Sequence, residues 1–206
     1  MRKIDWPNMI VKGIEWFARL AVLNLVWLLF SLPIFTFLPA TVAMMVVLKK
    51  WRDNDDRDVP VFSLYKQVFF AFFKRSYRMG WPFIIVGIIL VINLGFFFSV
   101  TSQFSLFFIL KNANIFLAFL YLLLFFYSLA VSTFLEGSSK KIIGFAFIML
   151  FSQIGETLRI LLYLFLVAVI FNFYPALLFF FSGSVLGMVF LSASEKAYTN
   201  INNKTR

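Results

Sequence analysis

Apolar residues run along this chain in long unbroken stretches, and the polar residues between them are few and clustered. The first stretch extends from Trp16 to Leu48, interrupted by SLP at 31–33 and LPA at 38–40. A single straight helix through all of it would be about 50 Å long at 1.5 Å per residue, well beyond a hydrocarbon core of about 30 Å. Pro33 and Pro39 would also break it. The pattern predicts a span over 16–35, a turn around Pro39, and a short returning helix over 40–51 that is re-entrant or buried against other helices.

A polar loop, WRDNDDRDVP, follows at 51–60. Residues 61–78, VFSLYKQVFFAFFKRSYR, then place Phe62, Tyr65, Phe69, Phe72 and Phe73 within a stripe of about 100°. Ser63, Gln67, Lys74 and Arg78 fall opposite, so the segment reads as a basic amphipathic helix on the membrane surface. Its Lys66, Lys74, Arg75 and Arg78 are candidate contacts to anionic lipid or to a partner. Residues 81–101 predict a span led by Trp81 and Pro82, with Gly80, Gly87 and Gly95 on one face. A short loop over 102–113 leads to a span over 114–135. EGSSKK at 136–141 makes a turn before a short apolar helix over 142–153. The apolar run 158–191 is broken by Pro175 into spans over 158–174 and 176–192, and the polar tail is expected to fray.

Composition turns this pattern into a fold class. The 206 residues are 62% apolar and 21% aromatic, whereas soluble domains run nearer about 45–50% apolar. A soluble fold would expose much of that surface and aggregate, so a bilayer is the better solvent. The expected fold is all-α: a polytopic integral membrane helix bundle of five to six segments, with residues 1–206 as one membrane domain. The chain has no Cys and no His. That excludes disulfides, thiol nucleophiles, thiolate or imidazole metal sites and a His general base. A phosphate-binding G-x-x-x-x-G-K-[ST] motif is also missing, so the chain is not a transporter's ATPase. No charged residue falls deep in a predicted span, which counts against an ion-coupled carrier acting alone. The expectation is a non-enzymatic protein without cofactor or metal.

Charge orients the bundle. Of the nineteen Lys and Arg residues, only Lys111 falls outside when six segments are threaded with the N-terminus inside. Positive charge collects in cytoplasmic loops, so both termini are expected in the cytoplasm, with the bundle in the plasma membrane. The net charge of +10 is then explained by anionic lipid, and nucleic acid is not an expected partner.

Among polar residues within spans, Asn24 stands out, because a buried Asn in lipid must find hydrogen-bond partners. The favoured reading is contact between helices; the functional one is a solute contact beside the break, with Pro33, Thr36 and Pro39 shaping it. Asp53, Asp55, Asp56 and Asp58 read as a solvated loop, since a calcium loop needs Gly and Glu at positions held here by Asp58 and Leu64. Gly183 and Gly187 form a GxxxG that marks close helix contact, within the chain or between copies. Glu156 and Arg159, three residues apart, read as a local pair.

The stretch NLVWLLFSLPIFTFLPATVAMMVVLKKW at 24–51 resembles the signature region of the YesL-like family of bacterial multi-pass membrane proteins. Asn24, Trp27, Leu32-Pro33, Thr36, Pro39-Ala40, Ala43 and Lys50-Trp51 carry the likeness, and FFKRSYRMG is similar to the family's basic segment. Leu38 stands where the family usually has Gly. The family has no established biochemical activity. Its members tend to be encoded beside binding-protein-dependent sugar transporters and polysaccharide-degrading enzymes. The resemblance therefore implies an accessory, assembly or regulatory role in carbohydrate uptake, with sugar ABC importer subunits as partners. The alternative is a small-solute permease or channel, including a diverged importer permease subunit, with a water-lined path beside Asn24 and Thr36.

Overall fold

A computed structural model describes residues 6–53, 59–99 and 105–204. Among them, regular structure is entirely helical. In chain order the helices are α1 (Trp6–Ser31), α2 (Phe37–Arg52), α3 (Val61–Ser99), α4 (Ser105–Val131), α5 (Ser139–Ser152), α6 (Ile154–Phe173) and α7 (Ala176–Lys204), with a 3-10 turn at Ile34–Thr36. Six segments are long and apolar enough to cross a membrane: Gly13–Ser31, Ile34–Arg52, Val61–Ser99, Leu106–Val131, Ile154–Phe173 and Ala176–Ile201. At 14 residues, α5 is too short to cross.

The core is built around α2. Every residue from Leu38 to Leu48 is buried, together with Trp51. A helix apolar on all sides is stable only when surrounded, and α2 packs against α1, α3, α4 and α7. Its last turn carries Lys49, Lys50 and Arg52, which suit the negative end of the helix dipole. The other long helices present large apolar side chains outward, among them Ile84, Ile88 and Ile92 of α3 and Leu162, Phe165 and Phe173 of α6. Such a surface fits hydrocarbon and not water.

Several boundaries differ from expectation. The break in the first apolar run lies at Leu32–Thr36 and not around Pro39. Pro39 sits in the first turn of α2, where a missing N–H costs nothing within the helix. The return helix is longer than 40–51, and it is enclosed as the burial alternative foresaw. Residues 61–78 and the next span are one 39-residue helix, α3, which continues through Pro82. Most of the aromatic stripe of its first half packs inward, with Tyr65 and Phe69 buried against Phe30 of α1, while Phe62 is half exposed. The loop expected at 102–113 is helical from Ser105 onward, and the expected fraying tail continues α7 to Lys204. Asp55, Asp56 and Asp58 lie outside the described residues; Asp53 is the C-cap of α2.

The small residues act where predicted, within the chain. A methyl group on Gly183 would stand 2.7 Å from the Trp27 ring, and one on Gly187 would stand 3.0 Å from Met44. The GxxxG thus seats α1 and α2 against α7. On α3, Gly80 lies under Leu38 and Gly87 under the Tyr121 hydroxyl, whereas Gly95 faces open space.

Candidate functional site

A proline offers no N–H to the carbonyl four residues earlier, whether that carbonyl lies in its own helix or in the turn before it, and in lipid such a carbonyl must be satisfied by protein. Two such carbonyls converge on one short stretch of α3. Pro82 has no N–H for the Arg78 carbonyl, and Ser139 Oγ donates to it instead at 2.7 Å. Pro39 has none for the Phe35 carbonyl, and the Tyr77 hydroxyl donates to it. Residues 77 and 78 therefore tie the α1–α2 turn on one side and the start of α5 on the other.

Thr36 closes the turn itself. Its hydroxyl donates to the carbonyls of Phe30 at 2.6 Å and Pro33 at 2.7 Å, capping the end of α1. Pro33, exposed, begins the 3-10 turn in extended conformation. Leu38 fills the space above Gly80.

The basic residues meet this junction from the same stretch. Arg75 donates to the carbonyls of Ser132 at 3.1 Å and Leu135 at 2.8 Å, just past the end of α4, and lies 3.5 Å from Glu136. A cation there satisfies orphan carbonyls and complements the helix dipole. The guanidinium also lies 5.6 Å from the Phe72 ring centroid. Lys74 and Arg78 are exposed beside it. Gly137, at φ 151, makes the sharp bend into α5, where Ser138 caps by accepting from the Lys141 amide. The α3–α5 cleft is a cavity of about 370 Å³ lined by Lys74, Arg75, Arg78 and Ser139. Glu136 also lines it and offsets Arg75, so Lys74, Arg78 and the helix N-terminus leave it electropositive, suited to an acidic side chain or a phosphate.

The structure thus joins Pro33, Thr36 and Pro39 to Lys74, Arg75 and Arg78. Lys66 is exposed two turns earlier on α3 and stands apart. Asn24 also stands apart, fully enclosed between α1 and α7. Its Nδ2 donates to the Phe179 carbonyl at 2.7 Å, while its Oδ1 accepts from the Gly183 amide at 2.8 Å and the Ser184 amide at 3.0 Å. Phe179 and Gly183 are the two ends of one helical rung, so the Asn24 amide bridges that rung from outside. This is helix–helix contact, the reading favoured from sequence. Tyr77 and Ser139 were not singled out from sequence, although a proline four residues downstream of each carbonyl signals a need for such donors. Among the described residues, no three His, Cys, Asp or Glu side chains gather where a metal ion would sit.

Comparison with known proteins places the chain. Residues 20–94 match a family described as "Protein of unknown function, DUF624". The chain is 30% identical over 195 residues to uncharacterized protein YesL of Bacillus subtilis, covering 92% of this chain and 89% of that one. It is 29% identical over 175 residues to uncharacterized protein YteU of the same organism, covering 84% and 77%. No solved structure matches. With this likeness running over most of both chains, the protein belongs to the YesL-like family of multi-pass membrane proteins.

Proposed function

We propose that this chain is a non-enzymatic accessory component of the bacterial cell membrane, associated with carbohydrate uptake, and that its basic junction holds a partner. The proposed partners are subunits of a sugar ABC importer. The observation that carries the reading is the division of labour at the junction. Arg75, Tyr77 and Ser139 are spent on backbone carbonyls, while Lys74 and Arg78 stay exposed at the mouth of an electropositive cleft. Exposed cations held on a rigid frame suit recognition of an acidic surface. The carbohydrate context rests on the family resemblance, and the cytoplasmic orientation rests on the distribution of Lys and Arg.

The permease alternative needs a water-lined path beside Asn24 and Thr36. Asn24 is fully enclosed, Thr36 nearly so, and the polar atoms of both are engaged by backbone. That arrangement supports the accessory reading over the permease.

The test is affinity purification of the tagged protein from native bacterial membranes in mild detergent, with mass spectrometry of what accompanies it. The expected result is recovery of importer permeases or their ATPase in stoichiometric amount, lost from a Lys74→Glu/Arg78→Glu variant that still folds. Recovery of the protein alone would contradict the proposal and direct attention to solute flux in liposomes.

A further inference from the structure

A second polar group lies away from the junction, between α6 and α7. Glu156 sits in the first turn of α6 and is 6% exposed. Its carboxylate is 2.6 Å from Arg159 Nη1 and 3.4 Å from Lys196 Nζ. The local pair expected from sequence therefore has a third member on α7. A buried carboxylate needs such partners. Two cations around one carboxylate leave an excess of positive charge. Arg159 and Lys196 are about half exposed, their side chains 41% and 53% accessible. Both have donors beyond those given to Glu156.

These residues form one end of a cavity of about 440 Å³. Its walls run on along α6 and α7 as apolar side chains, including Tyr163, Leu166 and Met188. From Glu156 to Leu166 the groove follows about 15 Å of α6 at 1.5 Å per residue. Both helices are candidate membrane spans, and their apolar faces here are open. A groove with a cationic end and a hydrocarbon-lined length is complementary to an amphiphile of matching polarity. The volume lies within the range of about 300–1,000 Å³ typical of small-molecule sites.

We infer that the α6–α7 groove binds one anionic phospholipid, its phosphate on Arg159 and Lys196 and an acyl chain along Tyr163, Leu166 and Met188. Glu156 orients the two cations and keeps them from repelling each other. Charge-assisted bonds to phosphate then favour an anionic headgroup over a zwitterionic one, whose own cation meets the same positive end. The site is independent of the α3–α5 junction and of the accessory role proposed for it.

The test is native mass spectrometry of the delipidated full-length protein, titrated with phosphatidylglycerol and phosphatidylcholine of identical acyl chains. The wild type should retain one phosphatidylglycerol at a concentration about tenfold below that needed for phosphatidylcholine. An Arg159→Gln/Lys196→Gln variant should lose this preference. Met188→Trp, which fills an exposed part of the groove and leaves the charges in place, should weaken both lipids. Equal retention of the two lipids by the wild type would overturn the inference. So would a phosphatidylglycerol preference that survives Arg159→Gln/Lys196→Gln. Where the double variant fails to fold, the single changes Arg159→Gln and Lys196→Gln are read in its place, and each should reduce the preference.

Discussion

At the scale of single residues, the bundle is held by polar side chains that stand in for missing backbone bonds. Asn24 shows this most directly. Asn24→Leu removes the bridge and leaves the Phe179 carbonyl and the Gly183 amide to their own helix, so the expected loss is about 1 kcal/mol, in line with polar contacts in membrane bundles. Asn24→Asp is expected to cost more, by roughly 1–3 kcal/mol, because it removes the donor to Phe179 and encloses a carboxylate. Thermal unfolding of the detergent-solubilised protein would rank them, and the reverse order would refute the bridging role. Gly183→Ala should cost about 1–3 kcal/mol by forcing a methyl into the Trp27 ring, while Gly95→Ala, facing open space, should not destabilise. Equal effects would mean that close approach of α1 and α7 is unimportant.

At the scale of elements, α3 organises the molecule because its proline makes it incomplete. Removing Ser139 Oγ strands the Arg78 carbonyl, and Ser139→Ala is expected to cost about 1 kcal/mol. In a Pro82→Ala background the new N–H can serve that carbonyl, and the same change should then be nearly neutral. A double-mutant cycle reads this coupling directly, and additivity would show that Ser139 does not cap the proline gap. Arg75→Gln should destabilise by about 1–3 kcal/mol through the end of α4, whereas Lys74→Gln and Arg78→Gln should stay within about 0.5 kcal/mol. The existence and type of these elements were legible from hydrophobic runs and proline positions. The joins were not. The fusion of 61–78 with the following span was hidden because Pro82 reads as a helix start, and a start and a repaired interior look alike without the hydroxyl supplied by α5. Pro39 misled in the opposite sense: a proline that reads as a turn stands in a first helical turn, where it is harmless.

At the scale of the whole molecule, residues far apart in sequence acquire roles only in combination. Pro33, Thr36 and Pro39 were legible as a break, and Lys74, Arg75 and Arg78 as a basic segment, each from local pattern. Their meeting depends on Tyr77 and Gly80, whose contacts with Phe35 and Leu38 are each 42 residues distant and carry no local periodicity. The groove between α6 and α7 was invisible for the same reason: Lys196 joins Glu156 from another helix. The assembled molecule is a helical bundle with an apolar exterior, an enclosed polar contact at Asn24, and Lys74, Arg78, Lys140 and Lys141 exposed together in the α3–α5 region. That arrangement has functional meaning only if the junction faces the cytoplasm, where importer ATPases and anionic headgroups are found.

Because the native chain has no cysteine, the orientation can be read with one introduced thiol at a time. Lys140→Cys, at the exposed start of α5 beside the junction, and Tyr174→Cys, at the exposed turn between α6 and α7, report the junction side and the α6–α7 turn. A membrane-impermeant thiol reagent applied to intact protoplasts should label position 174 and spare 140 until the cells are opened. Labelling of 140 in intact protoplasts, with 174 protected, would place the basic junction outside and contradict the account.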